Sequence, residues 1–296
     1  MIIVKLQGGL GNQMFQYATA RALQMRFRDK IYVDLDFLDP TINLNSDITP
    51  RNFELPIFNA VRLRQLKKWQ KKIILNSSFY KKIISRILYG KTAIINQQKN
   101  QFVTFPRSYD TLYIEGYFQS EKYFSSIRAQ LLADFKFPDL DNINEKLKQD
   151  ICSNNNTVSI HIRRGDYLNE TALKFHGLIS MRYYKNSLDY LESKLGEELH
   201  YYIFTEDTEW VEEQFHFLAN LTIVKDNKGS SSWKDIVLMK ACKHHIIANS
   251  SFSWWGAWLS ENNGITIVPK NWYVSSEANY DVHDIIPSKW IIMSDE

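Results

Sequence analysis

The chain has 296 residues, 44% hydrophobic and 23% charged, the composition of a soluble globular protein with room for two ordinary domains. Only two cysteines occur, Cys152 and Cys242, which excludes a disulfide scaffold and a cysteine zinc site and fits a reducing compartment. The net charge of +3 is uneven: twelve Lys or Arg and no Asp or Glu lie between Leu55 and Tyr109, leaving the remainder at −9.

The opening run, Ile2 to Leu6, predicts a strand, too short and too uncharged at its start for a secretion signal. No apolar stretch approaches the length of a bilayer span, so the expected location is cytoplasmic or peripheral to the inner membrane. Gln7-Gly8-Gly9-Leu10-Gly11-Asn12-Gln13 follows, then a helix with Phe15, Ala18, Ala22 and Met25 on one face and Asn12 as its N-cap. Strand, glycine turn and helix offers backbone N–H groups to an anion. It is neither a Walker loop nor a dinucleotide fingerprint, because the third glycine position holds Met14. A glycine backbone approached by a ligand and a simple tight turn both fit.

Lys30 to Leu35 predicts a second strand, ending in Asp34-Leu35-Asp36. Carboxylates so spaced can bind a divalent ion, but here they read as loop residues, and Asp139-Leu140-Asp141 reads as polar linker. Over residues 60–91 apolar residues recur at helical spacing among Arg62, Arg64, Lys67, Lys68, Lys71, Lys72, Lys81, Lys82 and Arg86. A basic amphipathic helix pair suits anionic lipid headgroups, and a solvated helix face reads the same way. Nucleic acid is not expected as a partner, because the rest of the chain is acidic. Thr111 to Phe118 predicts a strand and Glu121 to Phe135 a helix, with a polar boundary from Pro138 to Asn156.

Beyond it, strand-like runs at 157–162, 201–205, 221–225, 244–248 and 265–269 alternate with helical patterns at about 181–195, 207–219, 233–242 and 252–261. That alternation predicts a doubly wound parallel sheet. The expected architecture is α/β, two facing Rossmann-like domains with parallel sheets, at 1–150 and 151–296. Three segments should meet at the carboxyl edge of the second sheet: His161 to Tyr167, Thr205-Glu206-Asp207, and Asn249 to Trp255. In the first, Arg163 and Arg164 offer planar forks to phosphate oxygens, or a salt bridge to Asp166. In the last, Ser250 is either an N-cap or part of an anion site at a helix N-terminus.

His161-Ile162-Arg163-Arg164-Gly165-Asp166 resembles the His-x-Arg-Arg-x-Asp signature of the α1,2-, α1,6- and protein O-fucosyltransferases. Gly8 to Ala18 and Ala248 to Ala257 resemble two further motifs of bacterial α1,2-fucosyltransferases, members of glycosyltransferase family 11, in the same order. The resemblance implies a GT-B fold and inverting, metal-independent transfer of L-fucose from GDP-β-L-fucose, with the donor in the C-terminal domain. It implies no cofactor, and an acceptor ending in galactose, on an oligosaccharide or lipid-linked glycan such as O-antigen. Carried onto this sequence, Arg163 contacts the β-phosphate and Arg164 and Asp166 fix the loop. His161 and Asp235 lie near the guanosine, with Asn249, Ser250, Ser251 and Phe252 near the phosphates. Gly11 and Asn12 face the donor from the N-terminal domain. Arg163 and Asp166 are the expected catalytic pair, and Gln13, Glu170, His176 and Trp254 the expected acceptor contacts. The α1,6 relatives carry a glutamate ten residues after the motif histidine; Thr171 stands there, which leaves the base unassigned. The residues alone also admit a transferase using another nucleotide sugar, or a non-catalytic glycan- or nucleotide-binding protein.

Overall fold

The computed structural model describes the chain apart from residues 40, 42–50, 77, 99–100, 107, 197, 276–277, 279 and 296, and apart from the side chains of residues 79 and 166. The chain divides into two compact units, 1–137 with 279–285, and 138–278 with 286–296. The division falls at Pro138 rather than at 150, so the helix over 142–153 belongs to the second unit. Both units are α/β with parallel strands, the make-up of a GT-B chain.

Unit 1 contains β1 (Ile2–Lys5), α1 (Leu10–Phe27), β2 (Ile31–Asp34), β3 (Arg64–Gln65), α2 (Lys68–Ile74), α3 (Phe79–Tyr89), β4 (Thr92–Asn96), β5 (Thr111–Glu115) and α4 (Arg128–Asp134). Its sheet order is β3-β2-β1-β5-β4, with β1 central and wholly apolar at Ile2, Ile3 and Val4. β3 and β4 have little periodic signal in the sequence, and α4 covers only the end of the predicted 121–135 helix, whose start is two short 3-10 turns.

Helix α1 starts at Leu10, two residues before the expected cap Asn12, and Gly9 stands at the N-cap position. Gly8 turns the chain there with φ +76°, a left-handed conformation that glycine adopts without a Cβ clash. Met25 on the predicted inner face is 46% exposed, while Gln13, Gln16 and Thr19 are fully buried. The glutamines are inside because they saturate loop backbone. Gln16 accepts from the Gln7 N–H (3.1 Å) and donates to the Gly116 carbonyl (3.0 Å).

Asp34 and Asp36 are also more structural than expected. Lys71 Nζ lies 2.6 Å from a carboxylate oxygen of each, and the Tyr113 hydroxyl donates to Asp34 at 2.6 Å. Burial pushes the Asp34 carboxyl up, but the hydrogen bonds from Lys71, Tyr113 and the Asp36 N–H outweigh it and hold it below its ordinary value. Lys71 therefore belongs to the interior charge cluster and not to the basic surface.

Unit 2 contains α5 (Asn142–Ser153), β6 (Thr157–Ile162), α6 (Glu170–His176), α7 (Met181–Leu195), β7 (His200–Thr205), α8 (Thr208–Gln214), β8 (Leu221–Val224), α9 (Trp233–Ala241), β9 (His244–Ile246), α10 (Ser251–Trp258), β10 (Thr266–Pro269) and β11 (Ile291–Met293). Between β10 and β11 the chain returns to unit 1 through α11 (Val282–Ile285). Asp141, expected in a linker, caps α5 by accepting from the Ile143 and Asn144 N–H groups. The sheet order is β8-β7-β6-β9-β10-β11, all parallel, the doubly wound order in which the first strand lies at the centre. One face is packed by Ile160, Ile203, Tyr183, Tyr184 and Leu188, and the other by Tyr202, Phe204, Leu238 and Met239.

Candidate active site

β6 lies between β7 and β9, with Ile162 opposite Thr205 and Ile160 opposite Ile246. The loops after these three strands therefore leave the sheet side by side. Strand order also reverses here, because β7 and β8 add on one flank of β6 and β9 to β11 on the other. At such a switch point the connections diverge and leave a crevice beyond the carboxyl ends. The HisIleArgArgGlyAsp loop is at its centre.

The two arginines have different surroundings. Arg164 Nε donates to Asp207 Oδ2 at 2.9 Å, and its Cζ lies 4.4 Å from the Trp210 ring centroid. Asp207 in turn caps α8 through a bond from the Trp210 N–H. Arg164 is thus clamped as scaffold between a helix cap and an aromatic face. Arg163 Nη1 donates to Glu206 Oε1 at 2.9 Å, and the Glu206 side chain is 52% exposed. A half-exposed carboxylate is an exchangeable partner, since releasing it to water costs little desolvation energy.

Both arginines reach carboxylates at the end of β7, Arg163 to Glu206 and Arg164 to Asp207. The Asp166 side chain lies outside the described residues; its backbone forms the turn Asp166–Leu168, with the Leu168 N–H bonded to the Arg164 carbonyl at 3.0 Å. Gly165 does not have a left-handed φ. What it provides is space, since a Cβ there would overlap the Glu206 carboxylate.

His161, the penultimate residue of β6, is 5% exposed, its ring centroid 5.9 Å from that of Phe252. Its Nδ1 is buried without a hydrogen-bond partner. Burial, reinforced by Arg163, pushes its pKa down to about 3, so the ring is neutral and binds through hydrogen bonds rather than charge. Ser250 caps α10, accepting from the Phe252 N–H at 3.3 Å; Ser251 and Phe252, which begin the helix, are partly exposed. Asn249 is buried, donating to the carbonyls of His176 (2.9 Å) and Trp272 (3.3 Å), while its Oδ1 is without a partner.

Asp235, in the first turn of α9, accepts from Asn227 Nδ2 at 2.8 Å. Burial and then the Glu206 charge raise its carboxyl to about 7, against the opposing Asn227 bond.

The four expected acceptor residues have different surroundings. His176 stacks on Tyr167 at 4.6 Å between centroids and lies 5.3 Å from Tyr273. Trp254 is corrected to core: it is 0% exposed and packs against Trp255, Trp258 and Trp290. Glu170 faces solvent at 82% exposure, paired with Lys174 one helical turn on. Gln13, in unit 1, uses its whole amide on backbone, donating to Gly8 (2.9 Å) and Asn52 (2.7 Å) and accepting from Glu54 N–H (2.9 Å).

Unit 1 presents its own glycine loop. Asn12 Oδ1 accepts from Gln119 Nε2 at 2.8 Å, and Gly11 is buried in the first turn of α1. The anion at this helix N-terminus is the chain's own Glu54 carboxylate, which accepts from the Leu10 N–H; its pKa is raised by burial against that bond and Arg51. Sequence reasoning placed Glu206 and Asp207 at this edge without giving them partners and named His176 without its ring neighbours Tyr167 and Tyr273; Asn227 it missed. Asn227 acts by bridging Asn144 and Asp235, 83 and 8 residues away, a pairing with no local signature.

Chemically, the edge of unit 2 offers a guanidinium on an exchangeable partner, a helix N-terminus, a neutral imidazole and a tunable carboxylate. That set suits a ligand with an anionic centre and a hydrogen-bonding ring. Comparison with known proteins gives the same direction. The family model described as Glycosyl transferase family 11 matches residues 1–294. An α-1,2-colitosyltransferase of Escherichia coli is 33% identical over 98% of this chain and 98% of its own. The O-antigen biosynthesis glycosyltransferase WbnK of Escherichia coli is 34% identical over 93% of this chain and 95% of its own. The human galactoside α-(1,2)-fucosyltransferase 1 is 27% identical over a shorter stretch, 35% of this chain and 28% of its own. With a match that runs nearly end to end, the chain belongs to glycosyl transferase family 11.

Proposed function

We propose that this glycosyltransferase moves L-fucose from GDP-β-L-fucose to the 2-hydroxyl of a terminal galactose, on a bacterial surface glycan of the O-antigen kind. The observation that carries the reading is Arg163 at the strand switch, held by the half-exposed Glu206 beside the N-terminus of α10. As the bond from the sugar C1 to the diphosphate breaks, negative charge builds on GDP. Arg163 exchanges Glu206 for the β-phosphate, and the first amides of α10 add their partial positive charge. Arg164 and Asp207 keep the loop fixed, so little reorganisation accompanies the step. These groups do the work for which other transferases use a divalent ion, and turnover is expected to persist in EDTA.

The guanine base meets the Asp235 carboxylate and His161, both suited to hydrogen bonding at a ring edge. The acceptor oxygen attacks C1 from the face opposite GDP, inverting the anomeric centre, and loses its proton late in the step. Asp166, the carboxylate of the His-x-Arg-Arg-x-Asp motif, is the proposed acceptor of that proton. The relatives named for α-1,2 transfer and for O-antigen biosynthesis support the linkage and the acceptor class.

A second donor is favoured by one finding, the end-to-end similarity to an α-1,2-colitosyltransferase. Colitose is fucose without its 3-hydroxyl, so the same phosphate and base contacts would serve it. The test is a donor panel of GDP-fucose, GDP-colitose and UDP-sugars with lactose as acceptor, with and without EDTA, and linkage analysis of the product. Fucose in α1,2 linkage is expected. A preference for GDP-colitose establishes the second reading, metal-dependent use of a UDP-sugar overturns both, and nucleotide binding without turnover shows a non-catalytic protein.

A further inference from the structure

We propose that unit 1 docks on an anionic lipid bilayer through α3, laying Tyr80, Ile83, Ile84, Ile87 and Leu88 into the headgroup region. Their spacing puts the five on one stripe of the helix. They are 77%, 45%, 44%, 76% and 58% exposed. The inward side carries Ser85, 7% exposed, and Tyr89, which packs with Ile3, Leu66, Ile74 and Tyr113. The helix thus turns its apolar stripe away from its own unit, the reverse of an ordinary surface helix. A contiguous exposed stripe of this kind signals a partner.

Charge selects the partner. Lys81 and Arg86 flank the stripe and are exposed, as are Lys67, Lys68 and Lys72 on and before the neighbouring α2. With twelve basic and no acidic residues from Leu55 to Tyr109, two copies of this surface repel one another. A nucleic acid would satisfy the charge and leave five apolar side chains in water. An anionic bilayer satisfies both, because lysine and arginine stems lie along the apolar layer while their heads reach the phosphates. Lys68 and Lys72 also border a cleft of about 350 Å³ lined by Asp36, Lys71, Leu75 and Asn76, with room for a headgroup. Lys71 is committed to Asp34 and Asp36 and takes no part.

The test is co-sedimentation of the full chain with phosphatidylcholine vesicles, with and without phosphatidylglycerol, at low and high ionic strength. Binding is expected only with phosphatidylglycerol and to weaken with salt. The double variant Ile83→Ser/Ile87→Ser should abolish it. Lys81→Gln/Arg86→Gln should weaken it roughly 30-fold, at about fivefold per basic side chain. All four positions are exposed, so the variants should keep wild-type turnover of a soluble acceptor, which serves as the check on folding. Absence of binding to phosphatidylglycerol vesicles, or undiminished binding by the isoleucine variant, overturns the proposal. So does a wild-type dimer that the isoleucine variant splits into monomers, which would assign the stripe to self-association. Vesicle binding does not depend on the donor sugar, so this inference and the donor reading fail separately.

Discussion

Arg163 and Arg164 are adjacent in sequence and opposite in circumstance. Arg164 is held by Asp207 and the Trp210 face, whereas Glu206, a partner of Arg163, is half in water. Under the proposed mechanism Arg163→Ala should lower kcat/KM by roughly 10²–10³, as for loss of one donor at a developing oxyanion. Both donor affinity and rate should fall, because the phosphate is present in ground and transition states. Arg163→Lys should recover only part of the loss, since it keeps the charge but not the fork. An unchanged kcat/KM in Arg163→Ala would remove this residue from the mechanism. Asp235 makes a separate prediction. Its folded pKa, about 7, lies above its ordinary 3.8, so its destabilising effect is absent below 3.8, builds as the pH rises from 3.8 to about 7 and is complete above that. Asp235→Asn should therefore be more stable than wild type in mildly alkaline buffer, by on the order of 4 kcal/mol in urea denaturation, with the difference vanishing in acid. Donor affinity should fall in the same variant, measured by calorimetry with GDP. The arginine fork was legible because adjacent arginines after an apolar run are a local pattern. Glu206, Asp207 and Asn227 became partners only when strands distant in sequence were set side by side.

At the scale of elements, α2 shows how a surface pattern can conceal an interior role. Lys67, Lys68, Lys71 and Lys72 look alike in the sequence, yet Lys71 bridges Asp34 and Asp36 at 2.6 Å each. Lys71→Met leaves Asp34, 2% exposed, without its cation. The expected cost is about 3–5 kcal/mol at neutral pH, the usual penalty for breaking a buried pair. The sign with pH follows from the two states of Asp34. In wild type its lowered pKa stabilises the fold above 3.8 and that contribution fades as the pH falls. In the variant burial is less opposed, the carboxyl takes up a proton more readily, and the deficit should shrink in acid. Urea denaturation at neutral and acidic pH reads this; a deficit independent of pH would refute the account. The glycine loop shows the same limit. The turn and the helix were legible from Gly8 and the apolar spacing. Gln13 and Gln16, however, look like a solvated face, because local pattern does not show that loop carbonyls from Gly116 and Asn52 await their amides.

At the scale of the whole molecule, the alternation of strand and helix after residue 157 was enough to give the parallel sheet. Of the edge strands, β8 was legible but β3, β4 and β11 were not: they have two, five and three residues and none is fully buried, so each has weak apolar periodicity. The return of 279–285 to unit 1 was equally hidden, because a chain crossing has no composition of its own. It nevertheless determines what each part of the C-terminal segment supports. Residues 286–296 complete unit 2. Ile291, Ile292 and Met293 extend the sheet beside Ile267, Val268 and Pro269, Ser294 accepts from Asn186 at 3.2 Å, and Trp290 packs on the buried Trp254. Residues 279–285 serve unit 1, where Ile285 is 1% exposed and Asp284 pairs with Lys122 at 2.6 Å. Truncation after Ile285 should expose β10 as an edge and Trp254 to water, costing at least about 4 kcal/mol from lost ladder bonds and apolar burial. Hydrogen exchange should then rise at β9, β10 and α10 while β1 and β5 keep their protection. Ile285→Ala should do the converse, loosening residues 121–127 of unit 1 by about 2–5 kcal/mol and leaving β9 and β10 unchanged. Equal loss of protection in both units from either change would contradict this division of the C-terminal segment.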